Sequence, residues 1–284
     1  MSRLEVRRTA KLFIGGEFPR SESGRTLEVH AADGRLLGHA ARASRKDLRD
    51  AVRAARAAFP GWSGKTAYNR GQVLYRVAEL MEGRRAQFEA ELADAGASDP
   101  ARGVDAAIDR WVWYAGWADK LGPVLGGTNP VAGPYFTFTI PEPTGVVGIV
   151  APAEQPLLGL VSRLAPALAG GNAAVVVASA TAPFPVVSLA EVLATSDVPK
   201  GVVNLLTGAP EELAPWLAEH LDVNAIDVTG VPEGLLADVE RGAASNVKRV
   251  VRGPQVDPFD PLAASPYEAG KFLEMKTVWH PIGT

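Results

Sequence analysis

Two short pairs, Thr207-Gly208 and Thr229-Gly230, each close a run of apolar, β-branched residues, Val202–Leu206 and Ala225–Val228. Open α/β sheets bind ligands at the carboxyl ends of their strands. Gly208, Thr229 and Gly230 are therefore candidate contacts for a dinucleotide pocket. The same glycines have a plainer use, since a tight strand-to-helix turn favours a residue without a Cβ. Glu154 lies between two apolar segments and is a candidate general acid or base if it sits in a cleft; otherwise it is a solvated loop carboxylate. Ser162, Ser179 and Ser188 have no His–Asp partners in a recognisable arrangement, and a Gly-x-Ser-x-Gly elbow is absent, which argues against serine hydrolase chemistry. His30, His39, His220 and His280 are too scattered for metal-ligand spacing. The 284 residues include no cysteine, which removes thiolate nucleophiles, disulfides, thiolate metal sites and Fe–S clusters together. No residue is assigned a catalytic or metal-binding role.

The elements that would position these residues fall into three parts. Residues 11–18 read as strand, Gly turn and strand, with a further turn at Ala32-Asp-Gly34. Ser44 and Asp47 form a capping-box start for a helix that Pro60-Gly61 ends; helices over 67–95 and 100–121 follow. Trp111, Trp113, Tyr114 and Trp117 on the third helix either line a tunnel or pack against a sheet. The arginines of the first helix, Arg45, Arg49, Arg53 and Arg56, alternate with alanines as a solvated face.

From residue 145 the pattern alternates. Val146–Val150, Ala173–Val177, Val202–Leu206 and Ala225–Val228 are short apolar strands, and 157–169, 184–195, 211–219 and 233–245 suit crossover helices. This predicts an α/β fold with a doubly wound parallel sheet. Tyr135–Ile140 and Lys271–Trp279 read as strands outside that sheet, and the four prolines of 253–266 mark a linker.

At 47% hydrophobic and 21% charged the chain can build a sizeable core, and a net charge of −3 offers nucleic acid no electrostatic footprint. No apolar run reaches the length of a membrane span. The first eight residues lack an apolar stretch of the secretory kind, so the expectation is a cytoplasmic protein.

The run Pro141-Glu-Pro-Thr-Gly-Val-Val-Gly-Ile-Val-Ala-Pro152, then Gly170-Gly-Asn172, then Pro199-Lys-Gly-Val-Val-Asn-Leu-Leu-Thr-Gly208 and Asp227-Val-Thr-Gly230, resembles the coenzyme-binding half of an aldehyde dehydrogenase. Phe13-Ile-Gly-Gly-Glu17 matches the family's opening strand, and Ala244–Val250 matches the helix before its Leu-Glu-Leu-Gly-Gly-Lys motif. Gly133–Thr139 and Tyr267–Trp279, with Glu-Met-Lys-Thr-Val at the centre, resemble the strands of its oligomerisation arm.

The resemblance implies a Rossmann-like coenzyme domain over 1–132 and 145–252. It also implies an arm over 133–144 and 267–281, and a linker, 253–266, in place of the catalytic domain. Ala153 and Glu154 stand where the family has Trp-Asn, whose amide helps form the oxyanion hole. Val177 and Ala180 stand at its ribose-binding Lys and Glu, which weighs toward the turn-only use of Gly208 and Gly230; Val251–Gln255 replaces the motif carrying its general base.

The expectation is a pseudoenzyme, a non-catalytic subunit that joins a full-length aldehyde dehydrogenase through 133–140 and 271–279. The alternatives are an NAD(P)-binding component of an aldehyde-oxidising oxidoreductase and a homo-oligomeric nucleotide-binding protein. No nucleic acid or membrane partner is expected. Without a mate, Phe136, Phe138, Ile140, Phe272, Leu273, Val278 and Trp279 would stay partly exposed and limit solubility.

Overall fold

The computed structural model describes Leu4 and residues 6–283. A small sheet comes first, from β1 (Arg8–Ala10), β2 (Thr26–His30) and β3 (Leu36–Ala41), in the order β1-β3-β2. Four helices follow: α1 (Arg45–Ser63), α2 (Ala67–Glu82), α3 (Arg85–Asp94) and α4 (Pro100–Trp117). A short α5 (Leu121–Leu125) and two-residue β4 (Gly127–Thr128) lead to β5 (Tyr135–Pro143). The alternating half runs β6 (Val146–Val150), α6 (Leu158–Ala169), β7 (Ala173–Val177), α7 (Pro183–Thr195), β8 (Val203–Leu206), α8 (Pro210–Glu219), β9 (Ala225–Asp227), α9 (Glu233–Ala244) and β10 (Arg249–Val251). A 3-10 turn at Pro261–Ala263, α10 (Pro266–Gly270) and β11 (Leu273–Pro281) end the described chain.

The central sheet is parallel throughout, in the order β10-β9-β6-β7-β8. Side chains alternate along β6: Val147 and Ile149 join one core with α2, α4, α6 and α7, while Val146 and Val150 join the opposite core with α1, α8 and α9. Helices on both faces and a reversal of strand order between β6 and β9 make the sheet doubly wound, as the alternating pattern predicts. Phe13 and Leu205 exchange backbone hydrogen bonds of 2.9 and 2.8 Å, so the opening segment covers the free edge of β8. That segment forms isolated bridges, Phe13 with Leu205 and Ile14 with Glu17, rather than two strands.

Several expected boundaries differ. The first helix runs through Pro60 to Ser63, because Trp62 is fully buried and its indole N–H donates to the Leu168 carbonyl at 3.2 Å. That burial holds the last turn against the bond lost at the proline. The second helix is two, broken at Gly83-Arg84, where the Gly83 N–H caps onto Glu79. The third ends at Trp117, ahead of α5. Arg249 and Val250, which the resemblance places in a helix, instead form the edge strand β10 with Val251, too short to show a period.

The arm sheet has the order β11-β5-β4. β11 and β5 pair antiparallel from Leu273↔Pro143 to Pro281↔Tyr135, whereas β4 covers only Phe138 and Thr139. Phe136 and Trp279 are 48% and 58% exposed, and Ile140 is also exposed. Phe272 and Leu273 are buried, contrary to expectation, because they root the arm in the core beneath α6 rather than project with it. No helix among the described residues is long and apolar enough to cross a membrane.

Candidate functional site

Gly208 follows β8 and Thr229-Gly230 follow β9, three strand spacings apart in the sheet, about 14 Å. Each is tied locally. The Ala43 N–H donates to the Thr207 carbonyl at 2.9 Å, and the Thr207 hydroxyl donates to the Ala41 carbonyl at 2.6 Å. A Cβ on Gly208 would lie 3.3 Å from the Ala43 nitrogen, so this turn packs against the end of β3. The Thr229 N–H donates to Asp227 Oδ1 at 2.9 Å, its hydroxyl donates to the same oxygen, and it accepts from the Gly253 N–H at 2.8 Å. The Gly230 N–H donates to the Val150 carbonyl at 3.0 Å, and a Cβ there would come within 2.2 Å of the Ala151 carbonyl oxygen.

A dinucleotide cradle needs free donors and room at these loops. Thr229 has spent its donors within the chain, and Gly230 is pressed against the β6–α6 loop. Val177 and Ala180 offer no polar side-chain atom, and the Ser179 hydroxyl pairs with Thr181 at 2.9 Å. These groups do not fit a bound dinucleotide.

The other candidates are dispersed. Ala153 and Glu154 are exposed on the β6–α6 loop, where Gln155 has φ +52°. The Ser188 hydroxyl donates to Glu91 Oε1 at 2.6 Å; burial raises the Glu91 pKa, against hydrogen bonds from Ser188, Gln87 and Arg8 that lower it. The Ser162 hydroxyl donates to the Leu158 carbonyl. Among the described residues no cluster of His, Asp or Glu could hold a metal ion. Trp111 and Tyr114 are fully buried in the helical core and Trp113 packs against it, so these three aromatics pack rather than line a tunnel, while Trp117 is half-buried. Of the α1 arginines, Arg45 stacks 3.6 Å above Trp216, and Arg56 donates to the Asp222 carbonyl and Asn224 Oδ1 at 2.6 Å each. A cleft of about 590 Å³ beside that stack is lined by Ser44, Arg45, Lys46, Arg49, Trp216 and His220, and includes none of Gly208, Thr229 and Gly230.

A buried ionic network lies at the end of β9 instead. Arg163, 2% exposed on an otherwise uncharged α6, donates from Nε to Asp227 Oδ2 and from Nη1 to Glu268 Oε2, both at 2.6 Å. Burial works against its charge, but Asp227 and Glu268 together hold its pKa above the ordinary value. Arg110 donates to Ser162 Oγ at 2.8 Å and to the carbonyls of Ala263 and Pro258 at 3.2 and 2.9 Å. The Tyr114 hydroxyl donates to the Ser265 carbonyl at 3.3 Å, and burial pushes its pKa up to about 12. The linker is thus an ordered strap held by α4. The signal available in the sequence was one charge, Arg163, inside an apolar helix, which calls for a buried partner; nothing there names Asp227 or Glu268.

Lys248 is another buried cation. Its ammonium donates to the His220 carbonyl at 2.9 Å and to the Val223 carbonyl, and burial pushes its pKa down to about 8. The unfolded chain, with the ordinary value of 10.5, binds more protons across that interval, so stability rises with pH from about 8 upward. The urea midpoint should climb between about pH 7.5 and 9.5, and Lys248→Met should lack that climb.

A parallel doubly wound sheet with an excluded three-stranded arm sheet defines a Rossmann-like unit of the kind that oxidoreductases use for dinucleotides. The family model for the aldehyde dehydrogenase family matches residues 18–252, and the chain belongs to that family. It is 36% identical over 256 residues to human cytosolic 10-formyltetrahydrofolate dehydrogenase, covering 86% of this chain and 28% of that protein. It is 37% identical over 256 residues to chicken retinal dehydrogenase 2, covering 87% and 48%. Among solved structures, HpcC from Thermus thermophilus superposes with a TM-score of 0.81 at 36% identity, over 87% of this chain and 48% of that one. The NAD+ complex of an aldehyde dehydrogenase from Bacillus cereus gives 0.79 at 27% identity, over 87% and 51%. The chain therefore spans about half or less of the length of these relatives.

Proposed function

We propose that this chain is a non-catalytic subunit of the aldehyde dehydrogenase family, which assembles with a full-length aldehyde dehydrogenase through residues 133–140 and 271–279. The observation that carries the reading is the passage from β10 to β11: the chain goes from Val251 through an ordered strap directly to Leu273, with no second sheet between them. The cysteine, the oxyanion Asn and the glutamate of the motif are absent with it, while the arm keeps its full ladder. One face of that ladder carries Phe136, Phe138 and Ile140 with Val278, which lies opposite Phe138. The outer edge of β11 and most of that of β5 are left for another chain to cover. The cytoplasm is the compartment this reading assigns.

Co-expression with a full-length relative from the same genome tests it. The expected result is a complex of fixed ratio, weakened at least tenfold by Phe136→Asp with Ile140→Asp, which would bury unpaired carboxylates. Failure to join any such relative ends the reading. The NAD(P)-binding component and the homo-oligomeric nucleotide binder draw on the NAD+ complex of the Bacillus cereus enzyme. Either would give a melting temperature that rises with NAD+ or NADP+, as any ligand bound only by the folded state must.

A further inference from the structure

The hydrogen bonds at the end of β9 close into a ring. The Gly253 N–H donates to Thr229 Oγ1 at 2.8 Å, and Thr229 donates through its N–H and hydroxyl to Asp227 Oδ1. Asp227 Oδ2 accepts from Arg163 Nε, and Arg163 Nη1 donates to Glu268 Oε2. Glu268 Oε1 pairs with Lys271 Nζ at 2.6 Å, and that ammonium donates to the Arg252 carbonyl at 2.9 Å, one residue before Gly253. The ring joins the middle of α6, the carboxyl end of β9, the first residues of the strap and the root of the arm.

Its chemistry has two sides. At a sheet mouth of this type a ligand would look for the Asp227 carboxylate, the Thr229 N–H and the Thr229 hydroxyl, and each is already engaged. Gly230 beside them has its Cα against the Ala151 carbonyl. On the other side, Glu268 lies in α10, whose last turn leads straight into β11. A carboxylate this buried is tolerated only while paired, so Glu268 has one low-energy position, and α10 is fixed with it.

We infer that the β9 mouth of the sheet serves as the anchor of the arm rather than as a ligand site, with Arg163, Asp227 and Glu268 as the residues that aim β11 and its partner β5. What the arm is aimed at rests on the assembly reading; the anchoring is a property of the isolated chain. Separate contacts hold the first residue pairs of the ladder. Arg249 donates to the Leu273 carbonyl at 2.7 Å, and Asn172 and Thr144 donate to the Phe272 carbonyl. The ring therefore acts on α10 specifically, and its loss is read there.

Hydrogen exchange on the purified full chain tests this. In Glu268→Gln the amides of Lys271 and Phe272, which follow α10 and donate to its Tyr267 and Ala269 carbonyls, should exchange at least tenfold faster. Amides of β6 and β7 should change less than twofold. Unchanged α10 exchange, or an equal rise in every element, overturns the anchor. Lys271→Met covers the case in which Glu268→Gln does not fold. It opens the ring at a partly exposed position while leaving Arg163, Asp227 and Glu268 paired, and it should speed the same two amides severalfold; no change there overturns the inference. The same wild-type chain with about 5 mM NAD+ should show no rise in melting temperature, and a rise abolished by Thr229→Val would return the mouth to ligand binding. An anchor that responds in a chain that joins no partner removes the assembly reading alone.

Discussion

Methionine in place of Arg163 is expected to cost about 3–5 kcal/mol of folding stability, because it strands the Asp227 and Glu268 carboxylates in the interior without their shared cation. Against a domain stability of roughly 5–15 kcal/mol this removes between about a fifth and the whole of the margin. The cause is desolvation of the surviving charges, not loss of a favourable bond. Replacing all three residues together with apolar side chains should therefore recover most of the loss. Urea unfolding of the single and triple variants measures both. A single variant within about 1 kcal/mol of the parent would mean that water reaches the carboxylates and that the network is not sealed.

Alanine at position 230 is expected to cost about 3 kcal/mol, at the upper end of what overpacking costs. The new Cβ would sit 2.2 Å from the Ala151 carbonyl oxygen and 2.6 Å from the Pro152 nitrogen, both backbone atoms that cannot turn aside as a side chain would. The loop from Ala151 to Leu157 must move as a body, so proteolytic cleavage in it should accelerate along with the fall in stability. If Gly230→Ala were neutral, the close approach of the β6 and β9 loops would be wrong, and with it the argument that no room remains there for a ligand.

The sheet was legible because its strands are continuous apolar runs separated by helical periods, as parallel strands buried on both faces must be. β6 and β7 fall where the runs 146–150 and 173–177 place them. The arm was legible from Tyr135–Ile140 and the alternation that follows Lys271. Boundaries were less so. Pro60 ends a helix by local rule, and only the burial of Trp62 shows why the helix continues. β10 is three residues long and carries no period of its own. The network around Arg163 was hidden for a different reason. Its carboxylates lie 64 and 105 residues away along the chain, and pairing across such distances is set by the packing of α6, β9 and α10, not by local pattern. Gly208, Thr229 and Gly230 were rightly placed at strand ends by sequence. What each one touches there needed the fold.

The most direct measurement on the central claim is the mass and composition of the complex that the tagged chain forms when co-expressed with a full-length, cysteine-containing relative of its own genome. Size-exclusion chromatography with mass spectrometry of the peak reads both. A single species holding the two chains in fixed ratio, dispersed by Phe136→Asp with Ile140→Asp, is the expected result. A chain that elutes alone or only with copies of itself, while the relative assembles without it, would contradict the account.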